Sequence, residues 1–287
     1  MKKNILLIIL LTLLFITACG VSSGFGFRPI EGSGNIITET REVSNFDRVE
    51  VCCGMELYLT QGSTESLEIE ADDNFMDEIV TRIINQTLII NYRSDGNTNY
   101  RPTRSVKLYL AAIDIEAIKI SGGGKLNTDS LKSNDFQLEL SGGSDAVINE
   151  LEVDEIDIDI SGGGDVIIET AEADRTRLFL SGGSDAEIEE LTAKQLIINS
   201  SGGGSTTISG TVYEQDIELS GGRSFRGDDL ESQEVKFSSS GGGSSSVRVT
   251  DTLAVDLSGG SSLRYYGNPD ITRQDLSGGS SLKSMGE

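Results

Sequence analysis

The tripeptide Ser-Gly-Gly begins at Ser121 and returns at Ser141, Ser161, Ser181, Ser201, Ser220, Ser240, Ser258 and Ser277, at intervals of 18 to 20 residues. A period this regular over nine copies points to a solenoid, in which each copy is one structural unit stacked on the next. One residue before the serine stand Ile120, Leu140, Ile160, Leu180, Leu219, Leu257 and Leu276, interrupted by Ser200 and Ser239. Three before it stand Ile118, Leu138, Ile158, Leu178, Ile198, Ile217, Phe237, Val255 and Gln274. Polar residues separate the two columns, and that alternation is the period of a half-buried strand. Apolar residues resume five and seven places after the serine, as in Val166 and Ile168, and a further one follows at Leu131, Leu151, Ala171 and Leu191. Each copy is therefore expected to be two short strands around a corner, with a third apolar contact near the next turn. Such strands gain a core only by pairing with their equivalents about 4.8 Å away. The expected fold is all-β: a single-stranded right-handed parallel β-helix of about 20-residue coils, right-handed because parallel crossovers are.

The corner has its own logic. Paired glycines admit positive φ and lie close together in successive coils, and the repeated serine is expected to form a hydroxyl ladder. Nothing matches GxxxxGK[ST], so the glycine runs are not read as a phosphate cradle.

Residues 34–110 lack the repeat but carry alternating segments such as Val49-Glu50-Val51, Leu57-Tyr58-Leu59, Leu67-Glu68-Ile69 and residues 106–110. In residues 72–83, Phe75, Met76, Ile79, Val80 and Ile83 have helical spacing, with Asp72 or Asp73 as N-cap. This region is expected to be an irregular N-terminal β cap with a short helix, covering an edge that would otherwise be open. Residues 111–287 form the regular coils.

At the other extreme, Lys2 and Lys3 precede an apolar run over residues 5–16, too short to span a bilayer but fitting a signal peptide. The run ends in Ile16-Thr17-Ala18-Cys19, a spacing that resembles the lipobox of bacterial lipoproteins. Residues 1–18 are expected to be removed, Cys19 to be acylated, residues 19–33 to be a flexible tether, and 34–287 to be one domain. Cleavage leaves 21 basic against 46 acidic side chains, taking the net charge from −23 to −25. A surface that acidic disfavours nucleic acid and anionic lipid as partners. The remaining cysteines, Cys52 and Cys53, are expected to be one core filler and one exposed thiol, since alternation points neighbours to opposite faces.

The segments Gly34-Asn35-Ile36, Arg41-Glu42-Val43 and Phe46-Asp47-Arg48-Val49, followed by Thr87-Leu88-Ile89-Ile90 and the Ser-Gly repeat, resemble the putative auto-transporter adhesin head, or head GIN domain, over roughly residues 35–280. The resemblance implies a β-helical envelope lipoprotein with an adhesive role, and it brings no catalytic residues. No C-terminal translocator barrel is recognised, so lipid anchoring is expected in its place.

Two acidic columns stand out. Glu139, Asp159, Glu218, Asp256 and Asp275 lie two before the serine, but the chain has no histidine, the commonest general base at neutral pH; no enzyme is expected. Asp145, Asp165 and Asp185 lie four after it. Stacked about 5 Å apart, their oxygens are a candidate calcium column, weighed against plain turn residues in water. Aromatics for sugar stacking are few: Tyr265, Tyr266 and the outward Phe179. The leading expectation is a lipid-anchored, non-catalytic β-helix for adhesion or scaffolding, with a glycan or protein surface as ligand. The alternatives are a polysaccharide-binding or polysaccharide-processing β-helix and an envelope factor that assembles with other subunits. The Ser-rich C-terminal coil is an expected self-association edge.

Overall fold

A computed structural model describes residues 29–93 and 99–286. The expected signal peptide, Cys19 and most of the expected tether therefore lie outside the described residues. Among the described residues the fold is all-β, a β-solenoid of about eight turns with a single short helix.

The coil spanning residues 165–184 shows how sequence becomes shape. Val166, Ile168, Ala171, Ala173, Thr176, Leu178 and Leu180 are buried, while Glu169-Thr170 and Asp174-Arg175 face outward or lie at the surface in succession. Each such pair shifts the in-out phase and turns the chain. Residues 165–168, 170–173 and 175–182 pair in parallel with 185–188, 190–193 and 195–202, and residues 169 and 174 drop out of the ladder. The coil is thus three-sided. The third apolar contact expected from the sequence belongs to a paired side of its own. A single coil has nothing to bury these side chains against; stacking removes each aliphatic from water, worth roughly 1.5–3 kcal/mol apiece, so stability resides between neighbouring coils.

At the corner, the ladder is carried by glycine amides. Gly163 donates to the Gly142 carbonyl, Gly183 to Gly162, Gly203 to Gly182 and Gly222 to Gly202, each at 2.8 Å. The expected serine ladder is a minor contributor: Ser181 Oγ reaches the Ile160 carbonyl at 3.4 Å and Ser220 Oγ the Ser200 carbonyl at 3.5 Å. The reason is backbone proximity, because the first glycine of each corner lies directly on its neighbour. The residue after the two glycines forms a column that alternates in size, buried except at Gly204: Gly124, Ser144, Gly164, Ser184, Gly204, Arg223, Gly243, Ser261. A Cβ on Gly164, Gly204 or Gly243 would overlap the carbonyl of the coil before. Arg223 uses the space that Gly204 leaves. It is buried, and its guanidinium donates to the Gly203 carbonyl and, at 2.8 Å, to the Ser184 carbonyl two coils away. Burial pulls its pKa down, against the opposing pull of Asp185.

The cap is built out of chain order. The strand Arg48–Val51 pairs in parallel with Thr87–Tyr92 on one side and Ala117–Ser121 on the other, and Glu56–Gln61 likewise sits between Lys107–Ala112 and Lys125–Lys132. The strands Thr87–Tyr92 and Lys107–Ala112 therefore lie outside the coil that precedes them, and the chain then steps over that coil to begin the regular stack. Antiparallel strands close the end: Ile79–Ile84 on one side, Ser66–Asp72 and then Ile36–Arg41 on another. The expected helix is only Asp73–Met76. Ile79, Val80 and Ile83 lie instead in a hairpin strand whose turn, Asn85-Gln86, has φ of 50° and 62°, the paired positive values of a tight hairpin turn. β-Branched residues beside that turn outweigh helical spacing.

Asp72 ties the cap to the chain's start. Its buried carboxylate accepts hydrogen bonds from the Gly34 amide (2.8 Å), the Thr103 amide (2.9 Å) and Thr103 Oγ1 (2.7 Å). Burial pushes its pKa up, but the Thr103 and Gly34 bonds outweigh it and hold the group below the ordinary aspartate value. The described end of the expected tether is attached here too, since Ile30–Glu31 pairs with Tyr100–Arg101. Beneath them Tyr92 stacks on Tyr100 (ring centroids 4.3 Å) with Phe75 edge-on to both, and burial pushes the Tyr92 hydroxyl up to about 12.

The cysteines correct the sequence reading. Val51 is in register with Ile120, so Cys52-Cys53-Gly54 lies on Ser121-Gly122-Gly123 as an earlier copy of the corner. Neither cysteine is in the core, and the two are joined by a disulfide. A corner, unlike a strand, does not send neighbours to opposite faces. Cys53 has φ 71° where Gly122 has 73°, and it donates to the Ser121 carbonyl at 3.0 Å. The double change Cys52→Ser, Cys53→Gly restores the repeat's own tripeptide. Glycine relieves a left-handed non-glycine residue, worth roughly 1–2 kcal/mol, and a bond between neighbours closes a minimal loop worth only about 1 kcal/mol. Urea unfolding is expected to show a change within about 1 kcal/mol; a loss of several would contradict the equivalence of the two corners.

Candidate binding surfaces

The side that precedes each Ser-Gly-Gly presents a continuous face, from the strand Thr87–Tyr92 to the strand Asp270–Leu276. Alternation sends every second residue outward, so the parallel register stacks outward residues in columns. In its first half the columns are charged and mutually paired. Arg177 donates to both Asp157 oxygens (2.5 and 2.6 Å) and to Glu155 (3.0 Å), while Arg175 donates to Glu155 (3.3 Å) and Gln195 (3.0 Å). The hydrogen bond to Asp157 is the main reason the Arg177 pKa is raised. Lys119 similarly donates to Glu139 at 2.5 Å. These half-exposed pairs contribute little stability but hold the side chains in fixed positions.

The second half is more open. Phe179 is 41% exposed, and the register continues its column through Asn199, Glu218, Ser238 and Asp256. Beside this column lies a shallow concavity of about 410 Å³ formed by Asn199, Ser201, Glu218, Ser220, Ser238 and Ser240. A second, of about 260 Å³, continues it past Lys236, Asp256 and Arg273. The arrangement offers an apolar ring, then hydroxyl, amide and carboxylate groups repeating at the coil spacing of about 4.8 Å. It is open to solvent along its length, suited to contacting a chain laid along it.

The structure stacks Asp145, Asp165 and Asp185 as the sequence suggests, beneath Lys125 and followed by Ser205. One oxygen of each accepts a backbone amide. The Asp165 amide donates to Asp145 Oδ1 and the Asp185 amide to Asp165 Oδ1, both at 3.1 Å, and the Ser205 amide donates to Asp185 Oδ1 at 2.5 Å. Each carboxylate caps the next coil's strand start. Among the described residues no group of three or more His, Cys, Asp or Glu is placed to hold a metal ion. The other acidic column is split between the two halves of the long face: Glu139 is paired with Lys119, Glu218 lines the concavity, and Asp256 and Asp275 both accept from Arg273. Tyr265 is half-buried against the core and Tyr266 lies under the Arg248 guanidinium, 5.3 Å from its ring centroid.

One aromatic feature escaped the sequence reading. Tyr58 and Tyr109 stack outward with centroids 5.3 Å apart, heading a column that runs through Asn127, Val147 and Ile167. Both tyrosines were visible as outward residues in Leu57-Tyr58-Leu59 and Leu108-Tyr109-Leu110. What was missing is that these two strands are neighbours, which follows only from the out-of-order cap. Tyr58 donates to Glu56 at 2.9 Å, and that bond is the main reason its hydroxyl pKa is raised.

Residues 45–208 and 166–269 match the family described as "Putative auto-transporter adhesin, head GIN domain". No curated protein matches. Among solved structures, a putative adhesin from Parabacteroides merdae ATCC 43184 superposes with a TM-score of 0.69 at 17% identity, covering 89% of this chain and 98% of that one. A putative adhesin from Parabacteroides distasonis ATCC 8503 gives 0.69 at 17% identity, with 88% and 99% covered. A putative lipid binding protein from the same P. distasonis strain gives 0.67 at 18% identity, with 90% and 100% covered. At these identities the likeness is one of fold.

Proposed function

The chain belongs to the putative auto-transporter adhesin, head GIN domain family, and on that premise we propose that it is a lipid-anchored, non-catalytic envelope protein that adheres to an extended ligand laid along the face that precedes each Ser-Gly-Gly. The observation that carries this reading is the open column Phe179, Asn199, Glu218, Ser238 beside its concavity. An exposed aromatic ring supplies a stacking surface. The polar groups beyond it recur at about the spacing of sugar units in a polysaccharide, so a glycan is the ligand class that fits best. The lipobox-like Ile16-Thr17-Ala18-Cys19 supplies the anchor. It leads into the capped end, where Ile30 is paired, and leaves the long face and the far coil free of the membrane.

The test is a glycan-array screen of residues 20–287, with calcium and with chelator, beside the variants Phe179→Ala and Glu218→Ala. The expected result is saturable binding that weakens at least tenfold in both variants, about 1.4 kcal/mol, and survives chelation, because one oxygen of each of Asp145, Asp165 and Asp185 already accepts a backbone amide and the column lies away from Phe179 and Glu218. Calcium-dependent binding would instead restore that column as a site. Absence of binding in both conditions would remove glycan adhesion and leave protein scaffolding.

A further inference from the structure

The two ends of the solenoid differ. The first is closed by antiparallel strands and a helical turn. At the last coil, the strand Asp270–Leu276 pairs only with residues 252–257 and the strand Ser281–Ser284 only with residues 262–265, among the described residues. Their far edges are unpaired, and residues that earlier coils bury lie open: Leu276 is 40% exposed, and Ile271 and Leu282 are half-buried. An unpaired edge above exposed core residues is a template for another strand.

From the pairing rules and charges of that edge, we infer that two copies of this chain join tail to tail through an antiparallel pairing of the strand Asp270–Leu276 with itself. Three observations choose this occupant. First, the Ser277 amide bonds inward to the Leu257 carbonyl at 2.9 Å. Alternation then turns the Gln274 amide the opposite way, off the edge, and makes Gln274 the natural centre of an antiparallel pair. Second, pairing Gln274 with Gln274 of the second copy sets Arg273 against Asp275 of that copy, twice, and Thr272 against Leu276. The register is self-complementary in charge. Third, the tail is the place where so acidic a chain can approach itself. Residues 260–287 carry Arg264, Arg273 and Lys283 against Asp270, Asp275 and Glu287, whereas residues 145–164 carry seven acids and no base. With the opposite end capped, the two-fold arrangement closes at two copies. This inference stands apart from the adhesive reading and does not depend on it.

The test is sedimentation of residues 20–287, which contain every described residue, at several concentrations and at low and high salt. Wild type is expected to form a dimer that tightens with salt, because ions screen the like charges farther apart than about 8 Å at physiological strength more completely than the Arg273–Asp275 pairs in contact. Gln274→Pro removes the outward amide from an edge strand, where proline is tolerated, and is expected to give monomer, as is Leu276→Glu. Ile37→Glu, on the capped end, should leave the dimer intact. Melting temperatures measured at a dilution where wild type is also monomeric should match it in all three, since association itself raises the melting temperature. A monomeric wild type at high protein and salt, a dimer that survives both tail variants, or assemblies larger than two would overturn the proposal.

Discussion

Replacing Gly182 with alanine is expected to destabilise the protein by about 3 kcal/mol, while the same change one residue later, Gly183→Ala, leaves it unchanged or slightly firmer. Gly182 has φ 88°, and a Cβ there would overlap the Gly162 carbonyl of the coil before. Two penalties combine: roughly 1–2 kcal/mol for a left-handed non-glycine residue and roughly 1–3 kcal/mol for overpacking against a backbone that cannot retreat. Retreat is blocked because Gly162 is itself the acceptor for the Gly183 amide at 2.8 Å. Gly183 has ordinary φ and open space where its Cβ would lie, so alanine there mainly removes freedom from the unfolded chain, a gain of about 0.4–1 kcal/mol. Urea unfolding of the two variants side by side reads the difference. Equal effects would mean that the corners are not stacked backbone on backbone.

The sequence repeats the tripeptide as if both glycines had one role, and that marks how far it can be read. The period, the inward columns around Ile158 and Ile160, and the presence of a cap are legible because each follows from residue type and spacing along the chain. The third side is not, since it depends on two outward residues in succession at Glu169-Thr170 and Asp174-Arg175, which in a polar stretch leave no signature. The order of the cap strands is a long-range pairing that no local pattern encodes, and the Tyr58–Tyr109 stack is hidden with it. The Cys52–Cys53 bridge is not legible because residue alternation carries the strand on through Cys-Cys-Gly, whereas these residues form a corner. The alternation of Gly164, Ser184, Gly204 and Arg223 was in plain view. Its sense appears only once Arg223 is seen lying over Gly204 and bonding to Ser184. For the candidate sites, the stacking of Asp145, Asp165 and Asp185 is legible but their hydrogen bonds are not, because the backbone amides that each donate to one oxygen of a carboxylate carry no mark in the sequence.

The long face exists because the coils are equivalent and in register; a ligand laid along it meets one column from Phe179 to Asp256 only if the stack is continuous. That equivalence is tested most directly by deleting coils. Removing residues 165–204 takes out two whole coils and joins Gly164 to Ser205, so that Arg223 would lie over Gly164 and reach Ser144 as it now lies over Gly204 and reaches Ser184. Removing residues 165–194 takes out less, one and a half coils, but joins a corner to the middle of a side and brings the wrong sides together through the rest of the chain. In a stack of equivalent units, stability is a sum of neighbour terms, so the larger deletion should lose stability in proportion and keep a single cooperative melt with a β-sheet circular dichroism spectrum. The smaller one should lose the cooperative melt altogether, since a side in the wrong place buries polar residues and exposes the core. A smaller deletion that melts as well as the larger would contradict the in-register solenoid on which the rest depends.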